Sequence, residues 1–269
     1  MTTAQNPMKY DTSSHGEFVE YYEKESLSEA TRNRFLAIRE RVCRLARRNR
    51  PADVPLTALD IGCGTGMQYL LWASAGDRAY GIDINAPLIE IGRKRAAAEK
   101  LDIRFDVGSA TALPYEDASK DVCLMPELLE HVRDWEACVR EAIRVLRADG
   151  VLYLSTTNFL CPVQHEFNLW LYAWYPGALK RRYEQLAVTT RPEIANYAKY
   201  PAVNWFSYYS LARYLERQGF SSFDRFDMID EGSLSPLKRM LVTLVKRSRL
   251  LRFLGHVCTP GTVVFAVKR

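Results

Sequence analysis

The sequence predicts one α/β domain built on a parallel sheet whose strands are joined by crossover helices. Three observations lead there. After residue 55, short apolar runs alternate with stretches of helical periodicity, as strand-helix-strand units require. The stretch "ALDIGCGTGMQYLL", residues 58–71, packs three glycines into five positions between an apolar run and a helical pattern. A chain of 269 residues, 48% apolar and 26% charged, also suits a single globular domain with a sizeable core.

Taken in order, "SEATRNRFLAIRERVCRLARRNR" places Phe35, Ile38, Val42 and Leu45 three and four apart, giving a docked helix inside an N-terminal cap, residues 1–52. Its arginines form a solvated basic face or a seat for an anionic ligand or nucleic acid. Strands are predicted at 56–62, 78–84, 101–108, 121–126 and 150–158, with helices at 67–74, 87–99 and 135–147 between them. These make a core unit over 57–158. An irregular insert, 159–206, follows, then a helix over 207–218 and a strand "FDRFDMI" at 223–229. A basic amphipathic segment, 232–258, and a final strand "TVVFAVK" at 262–268 close the chain.

The first residues lack the basic start, apolar run and cleavage site of a secretory leader, and no apolar run is long enough to span a bilayer, so a cytoplasmic protein is expected. Six cysteines without a CxxC pair read as small buried residues in a reducing compartment, and redox chemistry is not indicated.

A glycine-rich turn from strand to helix lets backbone approach a ligand closely, and its amides favour negative charge. The dinucleotide fingerprint G-x-G-x-x-G, counted from Gly62, meets Gly64 and then Met67 where a third glycine belongs. What stands here is D-x-G-x-G-x-G, formed by Asp60, Gly62, Gly64 and Gly66, with the acid Asp83 at the tip of the second strand. An acid there receives both ribose hydroxyls of any adenosine-containing cofactor.

With these motifs the chain resembles the class I S-adenosylmethionine-dependent methyltransferases. The matching stretches are "LDIGCGTG" (59–66), "GIDI" (81–84), "DVGSATALPYEDASKDV" (106–122) and "LLEHV" (128–132). The resemblance implies a Rossmann-like seven-stranded sheet with a reversed last strand and helices on both faces. It also implies S-adenosylmethionine as cofactor: Gly62 and Gly64 under the methionine moiety in the Gly66-bounded turn, Asp60 at its ammonium group, Asp83 at the ribose and Ile84 on the adenine. Ser109 and Ala110 stand at the adenine edge, where the family usually has an acid, and Pro126 lies beside the cofactor at the end of the fourth strand.

Methyl transfer is an in-line displacement, so the enzyme aligns the reactants and supplies a base where the nucleophile is a hydroxyl. "MPELLEHV" stands where base-amino methyltransferases carry N/D-P-P-Y/F, which argues against a nucleic-acid amino target. Glu127, Glu130 and His131 form E-x-x-E-H, similar to the ubiquinone-pathway O-methyltransferases, where such a run is linked to a divalent cation. At that spacing on a helix the three would share a face and could hold a metal; alternatively Glu130 and His131 brace the loop. His131 and His165 are the two candidate bases.

From Phe159 to Tyr209 stand 13 of the chain's 31 aromatics in 51 residues, where an even spread gives about six. Such an aromatic lid at the carboxyl edge of the sheet walls an acceptor pocket or forms a satellite core. Within it Lys180, Arg181 and Arg182 are a candidate phosphate or headgroup site. Nearer the C-terminus, Leu237, Met240, Leu241, Leu244 and Leu251 fall on one side of a helical wheel, with Lys238, Arg239, Lys246 and Arg249 on the other. After Glu231 there is no acid but eight cations, without which the net +5 becomes −3. This helix meets an anionic membrane surface, the domain or a second subunit. The reading that results is an O-methyltransferase of a small, apolar or lipid-linked acceptor, such as a quinol precursor or lipid-linked sugar. An RNA-binding methyltransferase or a small-molecule N-methyltransferase is the alternative, and the oligomeric state stays open.

Overall fold

The computed structural model describes residues 26–196, 198, 201–232 and 234–269. Strand β1 (Thr57–Ile61) is buried along its whole length, as a strand covered on both faces must be. It lies between β2 (Arg78–Asp83) and β4 (Lys120–Pro126), with β3 (Ile103–Val107) outside β2 and β5 (Leu146–Thr157) outside β4, all parallel. β7 (Gly261–Lys268) runs antiparallel between β5 and β6 (Phe220–Phe223), giving the order β3-β2-β1-β4-β5-β7-β6. This is the seven-stranded sheet with a reversed last strand that the resemblance implies.

Helix α1 (Glu29–Ala46) buries Ile38, Val42 and Leu45 as its spacing requires. Three arginines on and just after it are engaged within the domain. Arg39 and Arg47 bind the buried Asp77 at 2.6 and 3.2 Å, and Arg50, just beyond the helix, reaches the buried Asp121 at 2.5 Å. The two aspartates also receive the amides of Leu56 and Thr57, so they fix the start of β1. Helices α2 (Met67–Ala73), α3 (Ala86–Ala98) and α4 (Trp135–Val145) then cross between strands; the side chains of Asn85 and Asp134 cap α3 and α4, and Gly66 stands at the start of α2 with no side-chain cap.

Past β5 come α5 (Gly177–Ala187) within the insert and α6 (Tyr208–Arg217), whose Ser207 and Ser210 form a reciprocal capping pair. β6 is shorter and earlier than the expected 223–229, because Asp224 ends it. Its Oδ1 accepts the amides of Phe226 and Asp227 at 2.8 and 3.0 Å, an Asx turn that competes with strand pairing. The basic segment is two helices, α7 (Pro236–Arg247) and α8 (Arg249–Val257), broken at Ser248, whose hydroxyl accepts the Leu251 amide at the start of α8. Leu251 therefore leaves the row formed by Leu237, Met240, Leu241 and Leu244, all of which are exposed; α7 buries no residue. Cys258 is exposed, unlike the buried Cys63, Cys123, Cys138 and Cys161.

α8 is pinned by one buried carboxylate. Asp224 accepts from Arg252 Nε at 2.6 Å and lies 2.9 Å from His256 Nε2; Arg252 also pairs with Asp227. Burial alone would raise the Asp224 pKa, but the His256 and Arg252 hydrogen bonds outweigh it and hold the carboxyl well below the usual range. A depressed acid contributes fully above its unfolded pKa of about 4 and loses that contribution as pH falls through the folded value. Asp224→Ala is expected to cost about 3 kcal/mol, read by thermal unfolding at neutral pH as a fall of roughly 6–12 °C that shrinks on acidification.

Candidate cofactor and acceptor site

The glycine turn leaves β1 with Gly62, Gly64 and Gly66 all at positive φ, +75°, +51° and +79°. The three serve different neighbours. A Cβ on Gly66 would fall 1.3 Å from Tyr69 Cζ, so that glycine makes room for a tyrosine buried beneath the turn, edge-on to Phe105 at 4.5 Å. A Cβ on Gly62 would press on Leu128 at 2.8 Å. At Gly64 the nearest atom is Leu88 Cδ1 at 4.0 Å, so this is the point of the turn that stands open to a ligand.

Asp83 fixes that point. Its Oδ2 accepts the Gly64 amide and its Oδ1 the Asn85 amide, each at 2.8 Å, while its carbonyl receives Gly108 N at 2.9 Å. Burial pushes its pKa up and these amides pull it back. Asp60 has no such relief: it is 3% exposed, and its Oδ1 has no hydrogen-bond partner among the described residues. Burial, with the Asp83 charge second, raises it to about 8. A buried carboxyl lacking a partner beside an open glycine is what a ligand ammonium group would complete. Ile84 is 62% exposed at the same edge. Ser109 Oγ lies 2.8 Å from Thr111 Oγ1, Ala110 packs on the core, and Pro126 ends β4.

The metal reading of Glu127, Glu130 and His131 is corrected by the geometry. Residues 127–134 are turns, with Glu127 at φ +52°, so the three share no helix face. Glu127 is exposed and pairs with Arg34 at 2.5 Å. Glu130 is buried, and its Oε2 accepts from Thr156 Oγ1 at 2.8 Å; burial is the main reason its pKa rises to about 8. Among the described residues no group of three or more His, Cys, Asp or Glu could hold a metal ion.

Glu130 instead braces the loop. Its carbonyl accepts the amides of Val203 and Asn204, and Asn204 Nδ2 donates to the carbonyls of Leu129 and Val132 at 2.8 and 2.7 Å. His131 stands partly buried on this clamped loop. His165 is exposed, its carbonyl accepting from Asn196. Its neighbour Glu166 faces the acid-rich corner, where burial and the Glu127 charge raise its pKa to about 7. The sequence reading missed Arg34, Thr156 and Asn204. Only Asn204, one polar residue in the apolar run "AVNWF", carries a local signal.

The lid aromatics divide. Phe167, Tyr172, Tyr175, Tyr183 and Trp205 form a satellite core with Ile194 and Ala202, and Phe206 and Tyr208 join the main core. Phe159, Trp170, Trp174 and Tyr209 are exposed, whereas Tyr197 and Tyr200 lie outside the described residues. The basic trio also divides. Lys180 donates to the Ala173 carbonyl and lies 4.6 Å from the Trp205 ring, and desolvation lowers its pKa. Arg181 joins Arg133 and Glu184 around a cavity of about 300 Å³, and Arg182 is exposed.

Residues 59–154 match the family model described as a methyltransferase domain. Ubiquinone biosynthesis O-methyltransferase of Brucella ovis is 33% identical over 128 residues, 46% of this chain and 52% of that protein. Ajmaline N-methyltransferase of Rauvolfia serpentina is 35% identical over 107 residues, 39% of this chain and 37% of that protein. The chain thus spans about half the length, or less, of these curated relatives. Phosphoethanolamine N-methyltransferase 2 of Haemonchus contortus, solved in complex with S-adenosyl-L-methionine, shares the fold. Its TM-score is 0.59 at 16% identity, over 96% of this chain and 58% of that one. Residues 59–154 are thus a methyltransferase domain that carries the glycine turn, and the sheet order is that of the class I methyltransferase fold.

Two outcomes test the site. Gly64→Ala is expected to fold, at a cost of about 1–2 kcal/mol for its left-handed backbone, yet to bind S-adenosylhomocysteine at least about tenfold more weakly in calorimetry; Gly66→Ala should fail to fold against Tyr69. The second concerns protons. With Asp60 protonated below about pH 8 in the free protein, binding of an ammonium ligand releases a proton between about pH 5 and 8, and affinity rises with pH by up to about tenfold per unit. Calorimetry in buffers of different ionisation enthalpy measures that release. No buffer dependence at pH 6.5 (about 1.5 below the Asp60 value) would mean that Asp60 does not meet the ligand's charge.

Proposed function

We propose that this chain binds S-adenosylmethionine at the glycine turn and methylates a hydroxyl on a small acceptor that is apolar or lipid-linked, of the quinol-precursor or lipid-linked-sugar kind. The observation that carries the reading is the open Gly64 flanked by the unpartnered Asp60 oxygen and the Asp83 carboxylate. Asp60 orients the ammonium group, Asp83 receives the ribose hydroxyls, Ile84 covers the adenine, and Ser109, Ala110 and Pro126 border the cofactor. The cofactor supplies a methyl group activated by its sulfonium.

His131 takes the acceptor proton, held in place by the loop that Glu130, Thr156 and Asn204 brace. Glu130, with its pKa near 8, is a positioning residue here. The O-methyltransferase relative supports a hydroxyl target over the matched segment. The N-methyltransferase relative favours a second reading, a small-molecule amine at the same site. An RNA-binding role loses support because Arg39, Arg47 and Arg50 are engaged by Asp77 and Asp121. An apolar acceptor fits a protein working from the cytoplasm at the inner face of a membrane; among the described residues no helix is long and apolar enough to cross one.

Labelled methyl from the cofactor, offered with lipid and with aqueous cell extracts, tests the acceptor: uptake is expected in the lipid fraction. His131→Ala should lower turnover by about 10²–10⁴ while leaving S-adenosylhomocysteine affinity intact. Full activity in that variant would remove the histidine from the reaction.

A further inference from the structure

Two long segments leave the sheet at its carboxyl edge: the lid after Thr157 of β5, and the α7–α8 hairpin after Phe223 of β6. The hairpin returns at Gly261, which pairs with Thr157. Asn158 joins the two, its Nδ2 donating to the carbonyls of His256 and Thr259, both at 2.8 Å. From there exposed rings run outward on both sides. Trp174 Nε1 donates to the Phe159 carbonyl at 2.9 Å, and Tyr209 lies 6.2 Å from Phe253. The hairpin also exposes Leu237, Met240, Leu241 and Leu244 on α7 and Leu250 and Leu254 on α8, each at least 45% exposed. Trp170, at the lid's outer side, is 83% exposed.

The charges on the hairpin itself have one sign. Of the acids just before it, Glu231 is paired with Lys246, and Asp224 and Asp227 with Arg252, while the exposed Asp230 accepts the Gly232 amide. Lys238, Arg247 and Arg249 are exposed and form no ion pair with a described residue. No acid follows Glu231 in the sequence. A second copy of the chain would set these same cations against their equals. An anionic lipid surface complements both the leucine row and the cations, and exposed tryptophans suit the depth of the headgroups. α7, 12 residues long, measures about 18 Å and would lie flat.

We infer that the α7–α8 hairpin and the exposed rim of the lid form one face that docks on an anionic lipid surface. The inference deepens the acceptor reading, because it would hold the carboxyl edge, where the cofactor site opens, against the phase that carries an apolar acceptor. The docking itself needs no cofactor and no turnover.

Vesicle flotation of the full chain tests it, with phosphatidylcholine alone and with about one-third phosphatidylglycerol at low and high salt. The chain is expected to float with the anionic vesicles at low salt and to stay below with the neutral ones. Combined Lys238→Glu, Arg247→Glu and Arg249→Glu should weaken partition by about 100-fold or more; Leu241→Ser with Leu244→Ser should weaken it too, with S-adenosylhomocysteine affinity unchanged in both. A chain that stays below anionic vesicles at low salt overturns the inference. So does a dimer in light scattering that the leucine variant converts to monomer, since the face would then belong to a second copy. Flotation as expected with methyl label confined to the aqueous extract would leave the docking standing and remove the lipid-linked acceptor.

Discussion

Two backbone amides converging on the Asp83 carboxylate hold the working edge of this protein together. One comes from the glycine turn after β1, the other from the residue that caps α3, and the aspartate's own carbonyl anchors the turn after β3. Three strand ends are thereby registered through one residue. A buried carboxylate is costly unless hydrogen bonds favour its charged form. The requirement runs both ways: the amides need an acceptor where no strand continues, and the acid needs donors where water is scarce. Gly64 can stand bare only because its backbone is held from this side.

Everything distinctive about the chain is added at the carboxyl edge. At the opposite edge, α1 and the arginines after it are locked to Asp77 and Asp121, so the start of β1 is stiff. At the working edge, the loop after β4 is laced to the last stretch of the lid by Glu130 and Asn204. A lid with its own small core, clamped at both ends, differs from a loop draped over a pocket. It can carry exposed rings on its outside without depending on them for its fold.

Strands β1, β4 and the inner run of β5 were legible because burial on both faces writes itself as continuous apolar residues, the less buried β2, β3 and β7 by their place in the alternation of short runs and helices, and the α1 stripe because one helix face must be apolar. β6 was misplaced: the sequence shows "FDRFDMI" as an alternating run, and only the structure shows Asp224 turning the chain while Met228 still reaches the core. The C-terminal wheel failed at one residue, since a serine inside a helical pattern does not reveal that it caps a second helix. Asp60, Gly64 and Asp83 stand out in the sequence as a candidate site because few other demands leave glycines between acids there. Gly66 shows the limit, since a missing side chain does not say whether a ligand or a buried tyrosine occupies the space. The Arg34–Glu127 pair spans 93 residues and the bond from Asn204 to Leu129 spans 75, and no local pattern encodes such partners.

The six cysteines differ in reach. Cys43 is half-buried, four are enclosed, and Cys258 alone stands in solvent, at the end of α8 two residues from the His256 that Asp224 grips. Burial raises the pKa of Cys43, Cys63, Cys123 and Cys138, which slows their thiolate chemistry further. The natural chain thus contains its own attachment point for a spectroscopic reporter, at the base of the hairpin and without any engineered substitution. A dye coupled there would sense whether the hairpin keeps its seat while the rest of the molecule is handled, immobilised or bound.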